Sequence, residues 1–380
     1  MGWIIPYIIL TIPVLIIRKK GEYPPISILW WCLGFFLLAF FSYSFFPPSE
    51  SSLRIFIDRS SSTLFLLVTT FLFADRRIQN WTKYVLMSAI GMGVFNNLYH
   101  IANPSAFGGL VEGRAVGFYL DPNDCANALI LGMILTVEML PKKLRFLWVV
   151  IVGLGVISTF SRGGILAWVV VVMMMSITRI VSLQKSLLWV VGIGLILFFA
   201  TQLGSIGDSV NIHNQLDSIA LQRVESMIDG GDVVEDESTI ERKAVAEKGW
   251  EMFLERPIFG YGIGSTFDYS ITKFSVSTHN MFLLYAAEYG IVGILILPLA
   301  TYAVTHRARG ETRKIGIIFT IFILFVSLFS HTVLSLLYYL IPFALMAVMS
   351  ESSRQICSQQ ALNNFKKDQT AIPTNRVVRG

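Results

Sequence analysis

Long apolar runs alternate with short polar segments along most of this 380-residue chain. A helix needs about 20 apolar residues to cross the roughly 30 Å hydrocarbon core of a bilayer, and most of these runs approach that length. We predict eleven spans, at residues 2–17, 26–46, 60–74, 84–102, 122–140, 144–160, 163–180, 186–204, 280–304, 315–330 and 332–350. The predicted fold is an all-α, polytopic integral membrane helical bundle with about eleven transmembrane helices.

One long polar segment interrupts this pattern and divides the chain into four parts. We predict transmembrane helices 1–8 over residues 1–204 and one large polar loop, outside the cytoplasmic membrane, over 205–278. Transmembrane helices 9–11 follow over 279–350, and a polar cytoplasmic tail covers 351–380. The tail is rich in Gln, Asn, Lys and Arg, so we expect it to be disordered.

The end of the large loop has the pattern of an amphipathic helix. Ser238 and Glu241 match the S-x-x-E capping box, and Pro257 closes the run. A rough apolar stripe is formed by Ile240, Ala244, Trp250, Phe253 and Leu254. These features predict a helix lying in the membrane interface. The GYGIG sequence at 260–264 then predicts a turn that allows close backbone approach to a ligand or a neighbouring helix.

Composition and charge agree with a membrane protein. Only 14% of residues are charged, against about 25% in a typical soluble domain. The net charge of +5 is not clustered as nucleic-acid binding requires, so no nucleic-acid partner is expected. Basic residues fall in alternate loops, at Arg18, Lys19, Lys20, Arg76, Arg77, Lys83, Lys142, Lys143, Arg145, Arg179, Lys185, Arg307, Arg309, Arg313 and Lys314. The positive-inside rule makes these loops cytoplasmic, with the N-terminus outside and the C-terminus inside.

Two further observations limit the possible classes. The first apolar run is followed, rather than preceded, by Arg18-Lys19-Lys20, so it is interpreted as a retained span and not a signal peptide. The three cysteines, Cys32, Cys125 and Cys357, have no disulfide or metal spacing. No other group of His, Cys and carboxylates has the spacing of a metal site either.

Unusual polar residues gather in the loops opposite the basic ones. Arg162 lies between two apolar runs, beside Ser161, Gly163 and Gly164. Free backbone N–H groups at a helix N-terminus, together with a guanidinium, form the kind of site that binds phosphate. The alternative is an arginine that only extends towards lipid headgroups. The cost of a charge in the membrane favours the anion site.

Two other clusters on that face have simple structural explanations. Arg242 lies near the start of the amphipathic helix, where it and Lys243 could bind lipid phosphates instead of a substrate. Arg114 precedes the run DPNDCANAL, in which Asp121 and Asn123 fit a turn and a helix start. Capping alone would account for these last residues.

His279 is the strongest candidate for chemistry. It ends the polar loop and begins a span, so we expect it at the mouth of the bundle. A neutral imidazole can accept a proton from a hydroxyl nucleophile. Asn280 follows it, and Glu288, nine positions on, must face protein or water. An interfacial histidine with no role is the alternative, and His331 could be a second external histidine.

Together these residues resemble a known family. His279-Asn280, Gly290 and Gly293 make an HN-x9-G-x-x-G pattern similar to the signature of the O-antigen ligase and polymerase superfamily. The segment from Arg242 to GYGIG resembles the family's Arg…Pro-x-x-Gly-x-Gly element. SRGG resembles its Ser-Arg-Gly turn, and RAVGFYLDPNDCA its Arg…Gly-x-x-x-Asp-Pro-Asn element. The resemblance covers roughly residues 114–293.

The resemblance implies a function and roles for these residues. Members are multi-pass glycosyltransferases of the bacterial inner membrane, with the active site facing the periplasm. They move a glycan from undecaprenyl diphosphate to an acceptor hydroxyl without metal, nucleotide or other cofactor. By this resemblance Arg162 and Arg242 would bind the diphosphate leaving group, and His279 would orient or deprotonate the acceptor. Arg114, Asp121, Asn123, Ser161, Gly163, Asn280 and Glu288 would help bind substrate.

The motifs do not identify the molecule that accepts the glycan. A ligase passes the glycan to lipid A–core, whereas a polymerase passes it to another lipid-linked repeat unit. We take ligase as the first interpretation, although Ile291 stands where ligases often have Thr. A lipid-linked glycan flippase is a further alternative, but transporters often place their charges near the bilayer midplane, and here they lie on one face.

Overall fold

The computed structural model describes residues 4–17, 23–103, 116–182, 237–274 and 277–370. All structural statements below refer to these residues. They form helices and connecting loops and contain no β-strand, which confirms the all-α prediction. The predicted span 186–204, the first part of the large loop (residues 205–236) and Arg114 lie outside the described residues.

The first seven predicted runs each coincide with a helix. These helices are α1 (Ile4–Ile17), α2 (Ile26–Phe45), α3 (Ser52–Phe73), α4 (Arg76–Ala102), α5 (Pro122–Thr136), α6 (Lys142–Ile157) and α7 (Arg162–Ile177). Two helices start eight residues earlier than predicted: α4 starts at Arg76 instead of residue 84, and α3 starts at Ser52 instead of residue 60. The first turns of α3 contain polar residues, including Arg59, that are buried against protein, which hydropathy alone does not anticipate.

The second half of the structure contains several short helices. Its helices are α8 (Glu237–Glu255), α9 (Tyr269–Thr272), α10 (Met281–Tyr289), α11 (Ile291–Ile294), α12 (Ile296–Thr305), α13 (Gly310–Val326) and α14 (Leu337–Thr370). The predicted helix after residue 237 is present as α8. The predicted span 280–304 is not one continuous helix, because the chain leaves the helical conformation at Gly290 and has an irregular turn at Leu295. Gly290 has φ 66° and ψ −149°, a conformation that is not helical.

The expectation of a disordered tail is wrong for residues 351–370. Helix α14 continues through them as far as Thr370. Glu351 forms an ion pair with Arg307 at 3.0 Å, and Ser353 accepts a hydrogen bond from the Arg309 backbone N–H. These contacts hold the first turns of the extension against the loop before α13.

The span count is not confirmed. Among the described helices, only α2 and α3 are both long and apolar enough to cross a membrane by length and composition. Helix α7 and the segment Ile291–Thr305 are shorter apolar helices. The eleven spans and the four-part division of the chain therefore remain predictions.

Helix α5 forms the centre of the bundle. It packs against α4, α6, α7, α13 and α14. Its residues from Cys125 to Thr136 are all buried, as expected for a helix that is apolar on every side. At 1.5 Å per residue it separates its two ends by about 22 Å.

The loops form two groups at the two ends of the bundle. At one end, near the basic loops, ion pairs join neighbouring segments at Lys83–Glu138, Arg145–Glu311 and Arg307–Glu351. At the other end, hydrogen bonds link Asn123 to Ser161, Met281 to Ser327 and Asp124 to Tyr338. The basic loops and the candidate site thus lie at opposite ends.

Candidate functional site

The site begins where α5 and α7 start. Asp121 is the N-cap of α5, and its carboxylate accepts hydrogen bonds from the backbone N–H groups of Asn123 and Asp124. Ser161 is the N-cap of α7, and its hydroxyl donates to Asn123 Oδ1 at 2.6 Å. The capping explanation of the Asp-Pro-Asn sequence is confirmed. The same residues also fasten the two helix starts together.

The N-terminus of α7 is less open than expected. The Ser161 N–H donates to Thr159 Oγ1, and the Gly164 N–H donates to Ser161 Oγ at 3.0 Å. The expectation that these two N–H groups are free is wrong, because side-chain hydroxyls already satisfy them. Arg162 and Gly163 are exposed at this end of the helix. Any anion bound here would therefore depend mainly on the Arg162 guanidinium.

His279 lies just before the first turn of α10 and is half-buried. Asn280 is the N-cap of that helix, and its Oδ1 accepts hydrogen bonds from the N–H groups of Phe282 and Leu283. The Met281 N–H donates to the Ser327 carbonyl at 2.9 Å, which ties the helix start to the end of α13. Asn280 therefore supports the backbone that carries His279.

Charges from distant parts of the chain act on His279. Burial is the main cause that lowers its pKa below the ordinary value of 6.5, and the positive charge of Arg242 lowers it further. The carboxylates of Glu241 and Asp121 oppose this effect and raise the pKa. The structure thus brings His279 together with α8 and with the start of α5, and it favours an uncharged imidazole at neutral pH.

Helix α8 approaches His279 closely because of a glycine. A Cβ atom on Gly249 would lie 2.5 Å from Thr278 Cγ2, so only glycine allows this separation. Val245, Gly249 and Met252 are buried on the face of α8 that packs on α10. Trp250 and Leu254, from the predicted stripe, lie on a second apolar face that is exposed. Arg242 is exposed near the start of the helix.

The glycine motifs bring two backbone segments together. The Tyr261 and Gly262 N–H groups donate to the carbonyls of Ala287 and Glu288. The Ile291 N–H donates to the Pro257 carbonyl at 2.8 Å. A Cβ on Gly260 would lie 2.4 Å from the Glu288 carbonyl carbon. The turn at 260–264 therefore approaches a neighbouring helix, one of the two possibilities expected from its sequence.

Glu288 lies about two turns along α10 from His279 and is completely buried. It forms an ion pair with Arg59 of α3, with Nη1 and Oε2 2.5 Å apart. Its other oxygen accepts hydrogen bonds from the Gly264 N–H and from Thr266 Oγ1, at 3.2 and 2.7 Å. Glu288 thus holds the 260–266 turn to the bundle, and the surrounding protein encloses its carboxylate.

The sequence analysis missed Arg59 because the predicted third span began after it. Arg59 also donates to the Tyr289 hydroxyl and lies over the rings of Tyr285 and Tyr289, at 5.0 and 5.2 Å. One observation in the sequence pointed to a missing cation: Glu288 lies in an apolar segment and needs a charged partner. Arg114 lies outside the described residues.

An apolar cavity of about 470 Å³ lies between α4, α5 and α14. Its lining is formed mainly by aliphatic side chains, with Tyr338 and Asn97 among the few polar residues. The Tyr338 hydroxyl donates to Asp124 Oδ1 at 2.7 Å, which places the cavity next to the start of α5. Among the described residues, no group of three or more His, Cys, Asp and Glu could hold a metal ion.

The arrangement combines exposed guanidiniums with a half-buried, uncharged imidazole. Such a set can bind an anion and accept a proton from a nearby hydroxyl. No curated protein matches the chain. Residues 147–297 match the family described as O-antigen ligase, and this segment contains Arg162, Arg242 and His279. This match supports the resemblance to the O-antigen ligase and polymerase superfamily that the motifs predicted.

Proposed function

We propose that this protein transfers a glycan from undecaprenyl diphosphate to an acceptor hydroxyl at the periplasmic face of the inner membrane. The first candidate acceptor is lipid A–core, which makes the protein an O-antigen ligase. The observation that carries this proposal is the half-buried ring of His279, on which the charges of Arg242 from α8 and of Asp121 from the start of α5 act. Neutral imidazole and guanidinium are the two groups that the transfer needs.

The leaving group explains the need for arginines. As the bond between the anomeric carbon and the phosphate oxygen breaks, negative charge grows on the diphosphate. Arg162 and Arg242 would stabilise that charge, and a guanidinium can bind phosphate oxygens with two parallel hydrogen bonds. The apolar cavity between α4, α5 and α14 would hold part of the carrier's hydrocarbon chain.

The acceptor explains the need for His279. Its uncharged ring would take the proton of the acceptor hydroxyl as the oxygen forms the new bond to the anomeric carbon. Undecaprenyl diphosphate then leaves with the bonding electrons. A single displacement of this kind inverts the anomeric centre. Asn280, Asp121, Asn123 and Ser161 would hold the backbone around the reacting groups, and Glu288 would act at a distance by fixing the 260–266 turn.

Deletion of the gene followed by gel analysis of the surface glycan tests this function. A ligase predicts loss of polymer from lipid A–core while polymer stays on its carrier. A polymerase, the alternative, predicts single repeat units attached to the core. Carrier-linked glycan that is trapped at the cytoplasmic face would support a flippase and contradict both transferase proposals. Wild-type protein should restore the normal pattern, and His279→Ala protein of equal abundance should not.

A further inference from the structure

His331 is the second titratable ring at the candidate site, and the proposed chemistry does not yet use it. It lies in the loop between α13 and α14, far from His279 in sequence. The two imidazole rings nevertheless pack against each other, with centroids 5.3 Å apart and an angle of 72° between their planes. Phe267 lies near His331 as well, at 6.2 Å between ring centroids. The half-buried ring of His331 thus lies between His279 and the turn that follows α8.

The surroundings of His331 favour an uncharged ring. Its Nδ1 atom is buried and has no hydrogen-bond partner among the described residues. An imidazolium carries N–H groups on both nitrogens, so it would leave one of them unsatisfied. Burial, together with the nearby His279, lowers the pKa of His331 to about 4. The ring therefore does not add positive charge to the site at neutral pH.

We propose that His331 is a positioning residue for the transfer: its ring packs against the ring of His279 and holds it in the orientation that accepts the acceptor's proton. This role rests on the proposed function of His279. His331 also covers part of the His279 ring from water, as a neighbouring aromatic ring does. An imidazole that could turn freely would spend less time aligned with the acceptor oxygen.

Other groups around His279 act through charge. Arg242 and Glu241 come from α8, and Asp121 comes from the start of α5. Because His331 is uncharged, its effect on His279 comes from packing and from the exclusion of water. Replacing His331 by a small residue should therefore expose His279 and move its pKa upward, towards the ordinary value of 6.5.

Three substitutions separate packing from direct chemistry. His331→Ala and His331→Gln both remove the aromatic ring, and Gln keeps a polar group there. His331→Phe keeps an aromatic ring and removes both nitrogens. We expect the first two to lower the transfer rate on the order of 10- to 100-fold at neutral pH, as a small misplacement of a reacting group does. We expect His331→Phe to stay close to the wild-type rate.

The decisive measurement is the NMR titration of His279 in each purified variant. The chain has five histidines, so the spectrum of His279→Asn protein identifies the signal. The pKa of His279 should be higher in His331→Ala and His331→Gln than in wild type, and it should be unchanged in His331→Phe. His306→Ala is the matched control, because His306 stacks on Tyr302 beyond the end of α12, at the opposite end of the bundle.

An unchanged rate and titration in folded His331→Gln protein would overturn the proposal. So would a His331→Phe variant as impaired as His331→Ala, because the nitrogens would then be needed for the chemistry itself. The titration does not depend on glycan transfer. If His279→Ala protein transfers glycan normally, the proposed role of His279 fails, while the titration still reports whether His331 shields the His279 ring.

Discussion

At the residue scale, the behaviour of His279 depends on charges that its neighbours in sequence do not supply. Glu241 and Arg242 are adjacent on α8, yet they act on His279 in opposite directions. Asp121 acts from the start of α5. The sequence suggested each of these residues separately, but it could not show that they meet, because the contacts depend on how α8 packs on α10.

The first prediction concerns pH. A general base works only when it is uncharged, so the transfer rate should rise with pH through the pKa of His279, which lies below 6.5. Glu241→Gln removes a charge that raises this pKa, so the rise should move to lower pH. Arg242→Ala removes a charge that lowers it, so the rise should move to higher pH.

The pH dependence of kcat/KM measures both shifts. Lys243→Ala, which removes the exposed cation beside Arg242, is the control and should leave the rise in place. Shifts in the same direction for Glu241→Gln and Arg242→Ala would contradict the electrostatic account of His279.

The second prediction concerns the guanidinium of Arg162. Arg162→Lys keeps the positive charge and loses the planar fork that binds two phosphate oxygens. We expect kcat/KM for the lipid-linked donor to fall at least about tenfold, or about 1.4 kcal/mol in transition-state stabilisation. Arg179→Lys, an exposed arginine beyond the other end of α7, is the control. Equal activity of the two variants would argue against bidentate phosphate binding at Arg162.

At the element scale, the broken helix α10–α12 is what places the candidate site. Hydropathy predicted a continuous span here because the residues on both sides of Gly290 are apolar. The break depends on one backbone conformation and on the approach of residues 257–258, and a hydropathy pattern contains neither. The glycines of the GYGIG sequence did predict that the backbone comes close to a neighbour. The structure shows that this neighbour is helix α10.

The third prediction tests that break. A Cβ at Gly290 would lie 2.3 Å from the Ile258 carbonyl oxygen, and its φ of 66° suits glycine. Gly290→Ala should therefore destabilise the protein by about 1–3 kcal/mol or more. Thermal unfolding of the purified protein in detergent measures the loss. In Gly91→Ala the added Cβ meets no atom within 4 Å, so this variant should be as stable as wild type. A stable Gly290→Ala protein would refute the packing described for this turn.

The sequence pattern predicted which segments are helical better than it predicted where each helix begins and ends. The apolar runs predicted the core helices because burial in lipid or protein requires the same residues. The extension of α14 past residue 350 was missed because its stability comes from Arg307–Glu351 and other tertiary contacts. Arg59 was missed for a similar reason, since its ion pair with Glu288 joins two distant helices.

At the scale of the whole molecule, the bundle exposes many large apolar side chains. They include Leu10, Trp30, Phe45, Trp81 and Phe118, each more than half exposed. Soluble monomers rarely present apolar surface on this scale, whereas a lipid-facing surface requires it. Trp250 and Leu254 on α8 add to it near the candidate site. This surface agrees with the prediction of an integral membrane protein.

The fourth prediction concerns which end of the bundle faces each side of the membrane. We expect the end with His279 to face the periplasm and the end with the basic loops to face the cytoplasm. Ser270 is exposed in the short helix α9, and Cys357 is an exposed native thiol on the extension of α14. Cys32 and Cys125 are buried, so they should not interfere with thiol labelling.

An impermeant maleimide should label Ser270→Cys protein in cells whose outer membrane alone has been opened. Cys357 should react only after the inner membrane is opened as well. The reverse order would place the candidate site in the cytoplasm, where an exported donor could not reach it.

The central claim is that His279 carries out the transfer of a lipid-linked glycan. The most direct measurement follows transfer from undecaprenyl diphosphate-linked glycan to lipid A–core by the purified protein, comparing wild type with His279→Ala. The account predicts transfer with release of undecaprenyl diphosphate by wild type, and a loss of about 10²- to 10⁴-fold in the variant. Transfer at the wild-type rate by folded His279→Ala protein would contradict it.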